Sequence, residues 1–279
     1  MWYFKSMKTL LILLLVFCAR QIQAQELYPS TEPASAMASK SIGLRLNNEL
    51  FPAYDASKIN YKNAYRLNPE IMWGINKKWM IHVNLYASNV HQNNFKFEGS
   101  NLYVKYRFFS KDDVNTHFRM ALYSKASVIN NPIQYSEINL AGDNSGIGTG
   151  FIATQLLHKV ALSFTGGYLR SINNLQDHLL NTQTKDAINY SFSTGYLFLP
   201  FNYTSYKQTN VNLYVEFLGK TNLAMKESYL DIAPAIQFII NSVIRLDFIY
   251  EKQLYGNMSR MSNTIFSFRF EYNLFNVYK

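Results

Sequence analysis

Near its C-terminus the chain reads Thr264-Ile265-Phe266-Ser267-Phe268-Arg269-Phe270-Glu271-Tyr272-Asn273-Leu274-Phe275. Phe266, Phe268, Phe270, Tyr272 and Leu274 fall on one face of an extended chain, and Ser267, Arg269, Glu271 and Asn273 on the other. Successive side chains of a strand point to opposite faces, so this period of two predicts a strand with one oily and one wet side. Working backwards, the same alternation recurs along almost the whole chain. It is plain in Ile42-Gly43-Leu44-Arg45-Leu46 and in Trp79-Met80-Ile81-His82-Val83-Asn84-Leu85.

Twelve such strands are expected, near residues 41–50, 64–76, 78–89, 98–109, 116–129, 146–157, 159–171, 187–199, 208–219, 229–240, 243–254 and 264–275. A tilted membrane-spanning strand needs about 9–11 residues, which each run meets. The connections at 76–78, 109–115, 157–159, 200–207 and 240–243 read as the shorter set. Those at 51–63, 90–97, 130–145, 172–186, 220–228 and 255–263 read as the longer one. The fold class expected is therefore all-β, an antiparallel transmembrane β-barrel of about twelve strands with both termini periplasmic. A soluble β-sandwich would pack two inner faces together and gives no reason for alternating loop lengths.

Composition agrees. Aromatic residues make up 16% and charged residues 16% of 279 residues, and mean hydropathy is balanced at -0.15. A barrel can hold such a load of rings against lipid and at the membrane interfaces while its interior stays wet. Trp73 and Trp79 flank the first short turn, and Phe108 with Phe109 opens the second, as an interfacial girdle requires.

Residues 1–24 have the makings of a secretory signal peptide: Lys5 and Lys8, an apolar run over 10–19, and Ile22-Gln23-Ala24 before the cut. Met7 is an equally good start. The single cysteine, Cys18, lies in this leader, so the mature chain has none. Lys5, Lys8 and Arg20 leave with it and no acid does, which lowers the net charge from +9 to +6. Residues 25–40 read as a periplasmic N-terminal tail or a short internal plug, and 41–279 as the barrel. No apolar run after Ala24 is long enough for a spanning helix. The basic residues are dispersed among acids, which argues against nucleic acid as a partner.

With the apolar face towards lipid, the lumen receives Arg45, Glu49, Arg66, Glu70, His82, Lys105, Arg107, Arg119, Lys125, Glu216, Asp231, Arg245, Asp247, Glu251, Arg269 and Glu271. The signs are unevenly placed. Strands four and five bring Lys105, Arg107, Arg119 and Lys125 with no acid, whereas strands nine to eleven bring Glu216, Asp231, Asp247 and Glu251 with only Arg245. A turn centred near Asp112 would set Lys105 opposite Arg119, a repulsive pairing on a sheet.

Chemistry finds little support. The residue two after each histidine is Asn84, Asn93, Arg119, Val160 or Leu180, none a nucleophile. The five histidines are scattered, so neither a metal nor a cofactor is expected. Gly142, Gly146, Gly148 and Gly150 match no phosphate-loop spacing and suit a curved strand instead.

The final strand resembles the assembly signal of outer-membrane proteins, although the chain runs on to Asn276-Val277-Tyr278-Lys279. Leu67-Asn68-Pro69-Glu70-Ile71-Met72-Trp73-Gly74, with Leu102-Tyr103-Val104-Lys105-Tyr106-Arg107-Phe108, is similar to transporters grouped with the meta-pathway-of-phenol-degradation outer-membrane proteins. That resemblance covers mainly strands two to four and implies a barrel with a transport role. Two readings stand. One is a non-enzymatic channel or transporter in the outer membrane of a Gram-negative bacterium, passing small polar or amphipathic solutes. The other is a structural barrel with a plugged lumen whose long loops bind a partner. Either would meet outer-membrane lipid and the outer-membrane assembly machinery.

Overall fold

The computed structural model describes residues 28–54, 62–91, 94–180, 185–201, 205 and 207–278. The leader expected at 1–24 lies outside the described residues.

The strands are β1 (Ser41–Tyr54), β2 (Lys62–Gly74), β3 (Trp79–Ser88), β4 (Lys96–Asp112), β5 (Thr116–Ile129), β6 (Gly146–Leu157), β7 (Val160–Ser171), β8 (Asp186–Leu199), β9 (Asn210–Asn222), β10 (Ser228–Ile240), β11 (Ile244–Gly256) and β12 (Thr264–Leu274). Each pairs antiparallel with its sequence neighbours, and β1 closes on β12 into one barrel. The expected bounds hold to within a few residues. The largest difference is at β1, which runs on from residue 50 to Tyr54. The alternation of loop lengths is less strict than the sequence implied. Because β9 starts at Asn210 and ends at Asn222, the connection 200–209 is longer than 223–227.

Local chemistry sets the tight turns. Asn241 and Ser242 both have positive φ (53° and 58°), and the Val243 amide donates to the Ile240 carbonyl at 3.1 Å. Two left-handed residues thus reverse the chain between Ile240 and Ile244, a conformation that asparagine tolerates well. At the first turn the Asn76 side-chain oxygen accepts from the amides of Lys78 and Trp79 at 2.8 and 2.9 Å.

The barrel is apolar outside and polar inside. Ile71 is 56% exposed on the outer wall, while Arg66 and Arg245 are 1% exposed within. Outer rings pair across strands, as in Phe248–Phe268 at 5.1 Å and Tyr250–Phe266 at 4.9 Å. Such an exterior suits hydrocarbon, where closure also leaves no strand edge unpaired.

The lumen is filled from two directions. Residues 28–40, for which a tail or a plug was open, run inside the barrel rather than hanging from it. This strap leaves the β9–β11 wall at Tyr28, whose ring meets Tyr214 at 5.6 Å. It crosses past Thr154, where the Ala34 amide donates at 2.9 Å, and packs Met37 against Met72 and Met80. It joins β1 through Lys40, whose amide donates to the Gly74 carbonyl. From the long-loop end, residues 130–145 fold inward and bury Ile138 and Leu140 against Leu169 and Ala187.

On SDS gels the protein is expected to run at different positions before and after boiling. Phe268→Arg should reduce the heat-modifiable form, at a cost of about 2–4 kcal/mol near the bilayer midplane. Identical migration of boiled and unboiled wild type would contradict a closed barrel.

Candidate lumen site

Strand register places the inward charges in rows. Arg245, Glu271, Arg45 and Glu70 stand directly opposite one another across β11, β12, β1 and β2. Signs alternate along the row. Arg45 Nε meets Glu271 at 2.9 Å, Arg45 Nη1 meets Glu70 at 3.0 Å, and Arg245 Nη1 meets Glu271 at 3.4 Å. The row spans the seam where the barrel closes, and cross-strand opposite charges favour that register.

The strap contributes a third carboxylate. Glu32 lies 3.1 Å from Arg45 and 3.3 Å from Lys105. Lys105 also donates to the Pro33 carbonyl at 2.7 Å, and Arg119 to Ser35 Oγ at 2.8 Å. On the opposite wall Glu216 accepts from the Ser30 amide at 2.6 Å and the Thr31 hydroxyl at 2.6 Å. Burial alone would push the Glu32 carboxyl up, but Lys105 and Arg45 outweigh it and hold it well below the usual range.

The folded-in loop is held in the same manner. Asp143 meets Arg66 at 2.6 Å, and Arg66 meets Glu98 at 2.9 Å. Glu137 meets Lys220 at 2.6 Å. Arg260, from the connection 257–263, reaches Asp231 at 2.7 Å and Glu251 and Glu137 at 3.5 Å each. Burial pushes the Asp143 carboxyl up, yet the Arg66 guanidinium, with His91 3.8 Å away, leaves it depressed. A carboxyl depressed on folding contributes stability above its unfolded pKa of ~4, lost as pH falls through the folded value. Protonation in acid therefore weakens both attachments, while at neutral pH the ion pairs are present.

Between strap and loop lies a polar cavity of about 170 Å³. Of the pore-lining candidates, Glu70, His82, Lys125 and Arg269 border it. Arg45, Lys105, Arg245, Asp247 and Glu271 lie in the surrounding ion-pair rows, Arg66 holds the loop through Asp143, and Asp231 and Glu251 hold Arg260. Glu216 holds the strap.

The basic wall of β4 and β5 is present, but its predicted repulsive pairing is not. Lys105 stands opposite Tyr123, and Arg119 opposite Ser110. The reason is that β4 extends to Asp112 with a bulge between Arg107 and Phe109, so the turn centres beyond Asp112. Asp112 then pairs with Arg119 at 2.8 Å. Arg107 faces inward opposite buried Ala121.

Sequence reasoning missed Glu32, Glu98, Tyr103, Glu137, Asp143 and Arg260. The one available signal was the wall of Lys105 and Arg119 with no acid nearby, since buried cations need counterions from somewhere.

No family model and no curated protein matches the sequence. Solved structures do match. The COG4313 outer-membrane channel from Pseudomonas putida F1 is 9% identical with a TM-score of 0.58, and the match covers 89% of this chain and 100% of that one. Outer membrane phospholipase A from Escherichia coli is 9% identical with a TM-score of 0.44, over 93% and 97%. The first of these likenesses is to the fold alone, that of an outer-membrane β-barrel. The phenol-degradation grouping is not among the matches described.

Arg45→Met should destabilise the barrel by about 3–5 kcal/mol, because Glu32, Glu70 and Glu271 lose their shared cation. Glu32→Gln should cost clearly less, as the closure row stays paired. Urea unfolding of the detergent-purified variants measures both, and equal costs would remove Arg45 from its central place.

Proposed function

We propose that the protein is a non-enzymatic outer-membrane channel for small polar solutes, with the strap and the loop 130–145 gating its lumen. The polar cavity between two inserts carries this reading. Both inserts are held largely by ion pairs and hydrogen bonds, which water can replace when they move. A barrel serving only as a rigid support gains nothing from a chamber lined by unpaired polar atoms. The shared fold with a channel of known structure supports the reading. The termini and short turns belong at the periplasmic side, as in even-stranded barrels of this type. Outer-membrane lipid and the assembly machinery are the partners that follow.

Thirty-one and 193 offer a direct test, since the Thr31 and Ser193 hydroxyl oxygens are 2.9 Å apart. Cysteines at both positions place their sulfurs near bonding distance. Reduced T31C/S193C should conduct in planar bilayers like wild type, and the oxidised form should be closed. A wild type silent in every state would instead favour the plugged barrel that binds partners through its loops.

Orientation is tested separately. Cysteine at Leu175, 68% exposed in the connection 172–185, should react with an impermeant thiol reagent on intact cells. Cysteine at Lys77 should not. The reverse pattern would place the termini outside.

A further inference from the structure

His82, Tyr103 and Lys125 stand directly opposite one another on β3, β4 and β5. Strands lie about 4.8 Å apart, so an imidazole, a phenol and an ammonium group form one short row on the lumen wall. The His82 and Tyr103 rings are 5.1 Å apart, and all three residues border the 170 Å³ cavity.

Each of the three has a polar group without a partner among the described residues. His82 is 2% exposed; its Nδ1 is engaged by Glu70 at 2.5 Å, while its Nε2 is buried and unpartnered. The Tyr103 hydroxyl is likewise buried and unpartnered. The Lys125 amine has neither a hydrogen bond nor an ion pair among the described residues. Gly148 faces Lys125 across the next strand pair, and a Cβ there would lie 2.9 Å from Lys125 Cε. The glycine therefore leaves room for the lysine stem to lie along the wall.

Folded proteins satisfy the great majority of buried polar groups, so two buried unsatisfied ones beside an unpaired lysine amine on a single cavity mark a polar ligand site. The charge of the ligand follows from what is already neutralised. Glu32 and Glu70 share the cavity but are engaged by Arg45, Lys105 and His82. Lys125 is not engaged. Asn68, Asn84 and Asn101 line the remaining wall with amides, which suit hydroxyl groups. Size also constrains the ligand. A closed cavity of roughly 150 Å³ takes a benzene ring, and this one, about 170 Å³ and open to the lumen, seats a single substituted ring whose outer groups reach beyond it.

We propose that the cavity binds a small hydroxylated carboxylate of sugar-acid type. Its carboxylate sits between the Lys125 ammonium and the Tyr103 hydroxyl, and its hydroxyls meet the asparagine amides and His82 Nε2. This names the solute class of the channel proposed above and rests on that reading for transport, though not for binding.

Equilibrium dialysis of the full chain in detergent against glucuronate, glucose and glucosamine tests it with an anion, a neutral and a cation of one shape. Glucuronate should bind at least about tenfold tighter than the other two, as a charge-assisted hydrogen bond implies. Lys125→Met should abolish that preference, Lys125→Arg should keep it, and Tyr103→Phe should weaken glucuronate severalfold without changing glucose. Heat-modifiability checks the assembly of each variant, and the three-sugar comparison on wild type stands even if Lys125→Met fails to assemble. Equal affinity for the three sugars, or a preference that survives in Lys125→Met, overturns the site. A conducting protein without anion preference loses the site and keeps the channel. Anion binding by a protein silent in bilayers keeps the site and removes the channel.

Discussion

Arg45 holds three carboxylates at once, and the rest of the structure is organised around that contact. Glu271 on β12 and Glu70 on β2 flank it along the sheet, so the same guanidinium joins the last strand, the first and the second. Glu32 reaches it from across the lumen, so barrel closure and strap docking share one cation. Arginine suits this place because its planar fork carries several donors and keeps its charge when buried. Lysine would present a single point of contact.

Seen from Arg45 outward, the lumen is a set of charged walls neutralised by inserted chain. The basic side receives Glu32 from the strap, the acidic side receives Arg260 and the backbone amides of Ser30 and Thr31, and Lys220 of β9 receives Glu137 from the loop. Such networks are a poor route to stability compared with an apolar core, because each ion gives up its hydration. Their advantage is register and reversibility. A strap held by Tyr28 and Met37 alone would slide, whereas paired charges fix where it lies and still let it leave into water.

The turn end shows how the barrel wall anchors the strap. Tyr278 accepts a hydrogen bond from the Trp73 indole at 2.8 Å, and the Val277 amide donates to the Lys40 carbonyl at 3.0 Å. The residues that run past Phe275, where the last strand departs from the usual assembly pattern, therefore lie against the point at which the strap enters β1. Trp73 and Tyr278 serve the interface and the anchor together.

What the sequence by itself determined was the barrel. Alternation in segments such as Phe266 to Leu274 places every strand residue inside or outside, because a period of two admits no other reading once one face is oily. The lumen charges followed from the same alternation, and Arg45, Glu70, Lys105 and Glu271 all lie inside. The tertiary structure alone decided what neutralises them. Glu32 and Glu137 sit in segments without periodicity, so no pattern says which wall they reach. A turn placed beyond Asp112 set Arg119 opposite Ser110, within 2.8 Å of the Asp112 carboxylate, and removed the clash with Lys105. Local periodicity records which way a side chain points, whereas pairing across the lumen depends on closure, and closure is a property of all twelve strands together.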